Sequence, residues 1–202
     1  MPQVASFTSA SEKSPQNRSL ALIAVGSNQE NNGIDPRSIV TKAIELCASK
    51  LGVVQAQSAL YRTPAFPAGS GADFVNAAFS VETDLCAQVC LEHLHEVESM
   101  FGRTRQARWG ARTLDLDLLA LGAKILPDRA GQQAWVQMTL QDQMLRTPDR
   151  LVLPHPRLQE RAFVLVPLAD VAPEWLHPVT ERSVAQMCQD LPRRDVKEVQ
   201  RL

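Results

Sequence analysis

The order of the predicted elements places this chain in the α+β class, with a ferredoxin-like βαββαβ core in which helices pack on one face of an antiparallel sheet. Three observations lead to this prediction. Short apolar runs are bounded by turn residues, which is typical of strands, and two segments between them carry apolar residues at helical spacing. The elements then follow in the order strand, helix, strand, strand, helix, strand. The residues after the last core strand are predicted to be C-terminal elaborations.

The first half of the core starts with the apolar run Leu20–Val25, which predicts a buried strand. Asp35 followed by Pro36 predicts the start of a helix, because Asp accepts hydrogen bonds from first-turn N–H groups and Pro needs no partner there. Gly52 is predicted to end this helix. Val53–Tyr61 is the predicted second strand.

The second half of the core starts with a third predicted strand, Phe74–Glu82. A second helix is predicted to begin near Thr83 or Asp84 and to end at Gly102. Its helical spacing predicts a buried apolar stripe, in which two cysteines one turn apart fill the core: Cys86, Cys90, Leu94, Val97 and Phe101.

The C-terminal part is less regular. Gly122 with residues 124–126 predicts a hairpin, and residues 135–140 predict an extra strand inside the polar segment 127–150. Residues 163–168 form another apolar run, followed by a predicted helix and a charged tail.

Composition restricts the functional class. An apolar fraction of 45% indicates a globular chain, and 21 basic against 22 acidic residues argue against non-specific nucleic-acid binding. No apolar run has the length of a membrane span. The four cysteines form no Cys-x-x-Cys pair, which favours reduced thiols and a cytoplasmic location. We expect residues 1–19 to be a disordered N-terminal extension and residues 20–202 to form a single domain.

One stretch carries the chemistry. Four arginines, at positions 103, 105, 108 and 112, lie within ten residues that contain no acid. Asp115 and Asp117 then alternate with leucines, so that both carboxylates share one face of a strand. Paired carboxylates suit Mg²⁺, and arginine forks match phosphate oxygens. The stretch predicts a site for Mg²⁺ and a polyphosphate, the alternative being a solvated edge strand beside a basic loop.

Four blocks in order resemble one family over residues 20–178. They are Ala24–Asn28; Tyr61–Pro64 with Asp73–Ala78; Glu98, Gly102–Arg103, Arg108–Gly110 and Arg112–Asp117; and Leu153–Arg157 with Arg161–Leu165. The family is that of the folate-pathway enzyme 6-hydroxymethyl-7,8-dihydropterin pyrophosphokinase. The resemblance implies that ATP, as co-substrate, donates its β,γ-diphosphate to the hydroxymethyl group of the reduced pterin and that AMP leaves.

The resemblance also implies roles for individual residues in a monomer that acts on these two small molecules. Two Mg²⁺ ions would be held by Asp115 and Asp117, and the catalytic set would be Arg103, Arg112, Asp115 and Asp117. The residues expected at ATP are Glu98, Arg105, Arg112, Leu118, Arg150, His155 and Arg161. Those expected at the pterin are Thr63, Pro64, Phe66, Phe74, Asn76, Trp109, Asp115 and Phe163. Phe74 and Phe163 would stack on the two faces of the flat ring, and Asn76 would donate to and accept from its edge.

Other interpretations of single residues remain open. Phe163 leads an apolar run and suits a core position, His155 between two prolines suits a turn, and Asn76 suits a strand bulge. The chain also departs from the family pattern at Gln29–Glu30 and Ala111, and its 123–150 segment is longer than usual. The competing functions are a non-catalytic ligand-binding module and another Mg²⁺-dependent nucleotide transferase on the same fold.

Overall fold

The computed structural model of the chain describes residues 18–65, 71–102, 113–139, 142, 146 and 148–202. Its sheet is built from β1 (Ser19–Ser27), β2 (Val53–Gln57), β3 (Tyr61–Thr63), β4 (Phe74–Thr83) and β5 (Asp115–Leu121), with the short β6 (Gln200–Arg201) at one edge. The helices are α1 (Pro36–Leu51), α2 (Ala87–Met100), α3 (Arg129–Gln137), α4 (Ala162–Val171), α5 (Val184–Asp190) and α6 (Arg193–Glu198). A 3₁₀ turn, Leu158–Glu160, precedes α4.

The strand order confirms the predicted arrangement. β1 lies at the centre and pairs antiparallel with both β4 and β5. β2 and β3 pair with opposite ends of β4, so together they occupy the position of the second core strand. The sheet therefore has the ferredoxin-like order, and every one of these pairings is antiparallel as predicted.

The two helices of the core form the first apolar layer. Asp35 accepts hydrogen bonds from the N–H groups of Arg37 and Ser38, and Gly52 caps the other end of α1 with a φ of 139°. Both ends agree with the sequence prediction. α1 and α2 bury residues such as Ile39 and Leu94 against one face of the sheet, together with Leu116 and Leu118 of β5.

The C-terminal helices cover the other face. Leu165 and Leu168 of α4 pack in one buried cluster with Leu22 of β1, Ala78 of β4 and Leu119 of β5. The hydroxyl of Tyr61 in β3 donates to Asp170 of α4 at 2.7 Å, which ties this helix to the sheet edge. Both faces of the sheet are therefore packed, although the polar end described below is not part of either cluster.

One strand boundary and one helix boundary were predicted wrongly. The single strand Val53–Tyr61 is interrupted, because the hydroxyl of Ser58 accepts from the Ala78 N–H at 2.9 Å in place of a backbone carbonyl. α2 begins at Ala87, three or four residues later than expected, with Cys86 as its N-cap residue. Cys86 is consequently exposed and does not fill the core, whereas Cys90 is buried as predicted.

The segment after β5 also differs from its prediction. Leu126 does not form a hairpin with β5, because its backbone exchanges hydrogen bonds with Leu153 at 2.9 and 3.1 Å. The predicted extra strand is wrong as well, since residues 135–137 belong to α3 and residues 138 and 139 are in no strand. Asp128 caps this helix by accepting from the Gly131 N–H at 2.8 Å. Within α3 only Gln132 is buried, so the sequence shows no apolar stripe from which a helix could be predicted.

At the two ends of the described chain, β1 begins at Ser19, and β6 adds a short strand where a charged tail was expected. Within the described residues, no helix combines the length and the apolar character that a membrane span requires.

Candidate active site

The two aspartates lie on β5 as the alternation predicted. Asp115 and Asp117 are partly exposed, while Leu116 and Leu118 between and after them are 3% and 4% exposed and pack under α1 and α2. Across the sheet, Asp117 pairs with Ala24 and Asp115 pairs with Gly26 of β1. The leucines on one face thus hold the two carboxylates on the other.

Glu98 reinforces this strand from the helical side. Its carboxylate, on a residue only 2% exposed, accepts a hydrogen bond from the backbone N–H of Leu116 at 2.8 Å. That N–H lies between the two aspartates, so Glu98 fixes the part of the backbone that carries them. The sequence predicted Glu98 at the nucleotide, and this contact with the strand was not expected.

A row of residues across the sheet continues from Asp115. Asp115 pairs with Gly26, Gly26 pairs with Asn76 of β4, and Asn76 pairs with Tyr61 of β3. The absence of a side chain at Gly26 matters, because a Cβ there would lie 2.6 Å from Asn76 Oδ1. The amide of Asn76 therefore lies over Gly26, toward the strand that carries Asp115.

The orientation of the Asn76 amide is set by a neighbour on β3. Asn76 Nδ2 donates to Thr63 Oγ1 at 2.7 Å, and both residues are 7% exposed. Phe74, on the same face of β4, has its Cδ1 3.8 Å from the position of a Gly26 Cβ. Four predicted pterin-binding residues, Thr63, Phe74, Asn76 and Asp115, are thus gathered around Gly26. Asn76 belongs to regular strand pairing, which rules out the bulge interpretation.

One cationic side chain, Arg161, approaches the aspartates from the start of α4. Arg161 Nη1 lies 3.8 Å from Asp117 Oδ2, and the Arg161 guanidinium lies 5.6 Å from the centre of the Phe163 ring. Phe163 is 41% exposed although it stands in an apolar run. The alternative that Phe163 is a core residue is therefore wrong, and its ring is available on the same side as Arg161.

His155 lies near Arg161, and hydrogen bonds of its backbone and of its ring fix its position. Its N–H donates to the Leu119 carbonyl at 2.8 Å, and its Nδ1 accepts from the Arg157 N–H at 3.1 Å. Burial, with the guanidinium groups of Arg161 and Arg157 nearby, lowers the pKa of His155 to about 3. The ring is therefore neutral at pH 7, and since Nδ1 accepts a hydrogen bond, Nε2 carries the proton and can donate.

Three short polar side chains, which the sequence analysis did not single out, form hydrogen bonds with the backbone at the ends of other segments. Ser27 Oγ donates to the Thr113 carbonyl at 2.6 Å, and Asn31 Nδ2 donates to the Phe101 carbonyl at 2.8 Å. Both ends of the segment 103–112 are thus tied to the connection between β1 and α1. Asn28 connects this region to the segment before β4 in the same way, because its Nδ2 donates to the Ala72 carbonyl at 3.1 Å. The clustering of such residues directly after a strand was the signal that could have found them.

The remaining predicted residues fall into three groups. Leu118 is buried in the core, and Pro64 is exposed directly after β3. Arg150 is exposed and lines a cleft of about 290 Å³ with Trp135 and Val152. The others lie outside the described residues, namely Phe66, Arg103, Arg105, Trp109 and Arg112.

The carboxylates fit a magnesium site of the kind that is shared with a phosphate substrate. Among the described residues, no group of three or more His, Cys, Asp or Glu side chains forms a complete metal site. Mg²⁺ is commonly held by one or two carboxylates together with waters and substrate phosphates, so Asp115 and Asp117 on one strand face meet that requirement. A structural zinc or calcium cage would need more protein ligands.

Comparisons with known proteins agree on one family. A sequence model of 7,8-dihydro-6-hydroxymethylpterin-pyrophosphokinase (HPPK) matches residues 22–173. A 2-amino-4-hydroxy-6-hydroxymethyldihydropteridine pyrophosphokinase of Methylorubrum extorquens is 36% identical over 156 residues, which cover 76% of this chain and 83% of that protein. The protein of the same name from Bacillus subtilis is 32% identical, over 75% of this chain and 77% of the relative.

A solved structure supports the fold. Wild-type Plasmodium falciparum HPPK-DHPS aligns with a TM-score of 0.61 at 12% identity. The alignment covers 86% of this chain and 44% of that chain, so this chain spans less than half of that protein. The family match extends over most of the chain and the two relatives are similar over most of their length, so this chain belongs to the 7,8-dihydro-6-hydroxymethylpterin-pyrophosphokinase family.

Proposed function

We propose that this chain transfers the β,γ-diphosphate of ATP to the hydroxymethyl group of 6-hydroxymethyl-7,8-dihydropterin and releases AMP. The observation that supports the proposal is the row Asp115, Gly26, Asn76, in which a carboxylate and an amide lie on the two sides of a residue without a side chain. Arg161 beside Asp117 adds a permanent positive charge at the same end of the sheet. Membership of the family supports the reaction, and this geometry supports its location.

Asp115 and Asp117 would hold two Mg²⁺ ions together with the phosphates of ATP. Bound there, Mg²⁺ supplies positive charge against the phosphate oxygens and lowers the pKa of a hydroxyl that it contacts. The protein's own contribution is position: β5 is fixed by its buried leucines and by the Glu98 contact to Leu116, so that the two carboxylates keep one spacing. A diphosphoryl transfer depends mainly on such alignment and on charge compensation.

The pterin would lie beside Gly26, where the absence of a side chain leaves room for the Asn76 amide. Asn76 Oδ1 would accept from a ring N–H, because its Nδ2 is already directed to Thr63. Phe74 and the exposed ring of Phe163 would stack on the two faces, with Pro64 and Phe66 at the border. Trp109, from the segment 103–112, would cover the same ring.

The nucleotide would lie on the side of Arg161 and His155. Arg161, released from Asp117, would contact a phosphate, and the His155 Nε2–H would donate to a neutral or anionic acceptor without adding a charge. Leu118 through its backbone, Arg150 and Glu98 would complete the pocket. Arg103, Arg105 and Arg112 would offset the charge that develops on the phosphates during transfer.

The proposal also includes the oligomeric state of the protein and its location in the cell. We expect a cytoplasmic monomer without a nucleic-acid or membrane partner, built as one domain from residue 20 onward. The near-neutral net charge of −1 and the four free cysteines of the described chain agree with this expectation.

A product analysis tests the function directly. The purified protein would be incubated with ATP, MgCl₂ and the reduced pterin, and the nucleotide products would be separated. AMP and a pterin diphosphate are expected in equal amounts, and both should disappear in EDTA. Release of pyrophosphate would instead indicate a nucleotidyl transferase, and the absence of any product from folded protein would indicate a binding module.

A further inference from the structure

The cleft of about 290 Å³ that contains Arg150 is lined by residues of α3 and of the segment 149–152. Four of its lining residues are apolar, Pro127, Ala134, Trp135 and Val152, and two are charged, Asp149 and Arg150. α3 belongs to the segment 123–150, whose extra length the family resemblance does not explain. This helix therefore adds a wall to the cleft that the family pattern does not account for.

One face of α3 forms that wall. Gly131, Ala134 and Trp135 all line the cleft, and they stand at positions i, i+3 and i+4, which share one face of a helix. Trp135 is the one aromatic residue of α3, and it is only partly buried. Val136 lines a different cavity together with Gln132, so the next residue along the helix belongs to another face. The geometry of the helix thus directs Trp135 to the cleft.

α3 is fixed on both sides of its first turn. A Cβ at Gly131 would lie 2.9 Å from Pro127 Cγ, so the helix packs directly on Pro127. Gln132 Nε2 donates to the Pro154 carbonyl at 3.2 Å, which joins the helix to the segment that follows Val152. These contacts hold the face that carries the indole at a constant distance from the opposite wall of the cleft.

The opposite wall leads to the nucleotide side of the proposed active site. Arg150, which is proposed to contact ATP, lines the cleft itself. Further along the same segment, the His155 backbone N–H donates to the Leu119 carbonyl of β5 at 2.8 Å. A nucleotide that contacts both His155 and Arg150 therefore has one end at this cleft.

The composition of the cleft matches the nucleoside end of a nucleotide. A tryptophan ring with aliphatic neighbours suits the flat faces of a base, because bases stack on aromatic side chains. The Arg150 guanidinium is a donor for the oxygens attached to the base through the sugar. A volume of about 290 Å³ is at the lower limit of small-molecule sites, so the cleft takes part of ATP and leaves the triphosphate outside it.

We infer that Trp135 is a further nucleotide-binding residue, whose indole stacks on the base of ATP in this cleft. The inference rests on the proposed function and deepens it, because it assigns to α3 a side chain that selects the nucleotide. A purine offers a larger stacking surface than a pyrimidine, so Trp135 favours ATP over CTP.

Isothermal titration of the full chain with ATP and Mg²⁺, without pterin, tests the contact. Trp135→Leu should raise the Kd for ATP roughly fivefold or more, the loss expected when a base loses its aromatic partner. Trp135→Phe keeps a ring and should stay within about threefold of the parent. Val136→Ala, on the other face of α3 and 36% exposed, is the matched control and should leave the Kd unchanged. The preference for ATP over CTP should decrease in Trp135→Leu.

Fluorescence reports on the same contact without a change at position 135. The sequence contains three tryptophans, so Trp109→Phe combined with Trp175→Phe leaves Trp135 as the single emitter. Stacking of a base on the indole should quench this emission saturably as ATP and Mg²⁺ are added. The midpoint should agree with the Kd for ATP that calorimetry gives for the same double variant.

Four results would overturn the inference: parent-like ATP binding by Trp135→Leu, equal weakening in Trp135→Leu and Trp135→Phe, equal weakening in Val136→Ala, or unchanged Trp135 emission while calorimetry records ATP binding. In each of them the parent protein still binds ATP, and its formation of AMP is measured separately, so the proposed function stands. A parent protein that binds no ATP would overturn both.

Discussion

The two faces of the sheet use the same strands for different purposes. On the face under α1 and α2, residues such as Val25, Val75 and Leu116 are buried in a continuous apolar cluster. On the opposite face, the residues that alternate with them at one end of the sheet are Gly26, Asn76 and Asp115. The first face forms an apolar core, and the second carries the polar groups of the row Asp115, Gly26, Asn76.

This difference teaches how the site stays rigid although it is polar and partly exposed. Two carboxylates on one strand face repel each other, so their positions must be imposed by neighbouring residues. The leucines on the other face impose them for β5, and the buried Glu98 carboxylate adds a bond to the Leu116 N–H from the same side. Substitutions on the two faces should therefore separate catalysis from stability.

The largest effect is expected from Asp117→Asn. The variant keeps the shape of the side chain but removes a charge that would hold Mg²⁺, so kcat should fall by about 10²-fold or more. The melting temperature should remain within a few degrees of the parent, because Asp117 is partly exposed. Asp195→Asn, an exposed isosteric change on α6, is the control and should alter neither quantity. Full activity of Asp117→Asn would show that Asp117 is not required to hold Mg²⁺.

Leu116→Ala tests the other face of the same strand. Leu116 is 3% exposed, and truncation of a buried leucine costs about 2–5 kcal/mol of unfolding free energy. Urea denaturation should detect this loss. The folded fraction should retain most of its kcat, since the aspartates remain in place. A loss of activity as large as that of Asp117→Asn, with unchanged stability, would contradict the separation of the faces.

Gly26→Ala introduces a side chain into the row itself. The new Cβ would lie 2.6 Å from Asn76 Oδ1, so the amide has to move from its bond with Thr63. We expect pterin binding to weaken by roughly two- to tenfold, equivalent to one hydrogen bond, while ATP binding is unchanged. In an Asn76→Ala background the added effect should vanish. An equal effect in both backgrounds would show that Gly26 acts independently of Asn76.

Phe163→Ala removes one of the two proposed stacking rings. Since Phe163 is 41% exposed, the change should cost little stability, whereas a stacking loss of about 1 kcal/mol would weaken pterin binding roughly fivefold. Isothermal titration with each substrate separates the two effects. Equal weakening of ATP and pterin binding would assign the ring to a shared structural role, acting through its contact with Arg161.

The last prediction concerns the pH dependence of stability. Because the pKa of His155 is lowered to about 3 in the folded protein, folding favours the neutral ring. Its contribution to stability is present above the ordinary histidine value of about 6.5 and is lost as the pH falls toward 3. The melting temperature should therefore decrease between pH 7 and pH 5, and His155→Gln should reduce that slope. Parallel slopes for the two proteins would show that His155 does not report on folding in this range.

Local patterns were sufficient for much of this protein. The alternation in β5 predicted which side chains of the strand are buried, and Asp35 with Pro36 predicted the start of α1, because both depend only on neighbours along the chain. The ordered motifs likewise identified the family. In contrast, the predicted strand Val53–Tyr61 is interrupted at Ser58, whose hydroxyl accepts from the Ala78 N–H. The two residues are distant in sequence, so no local pattern predicts this contact.

The arrangement of the site depends on contacts between distant residues. The approach of Asn76 to Gly26, the pairing of Arg161 with Asp117 and the bond from Leu116 to Glu98 each join separate elements. The helix α3 shows the same dependence, because its one buried residue is a glutamine whose partner is the distant Pro154 carbonyl. Periodicity records which face of an element is apolar, but it contains no information about which other element meets that face. Such contacts are therefore visible only after the chain has folded.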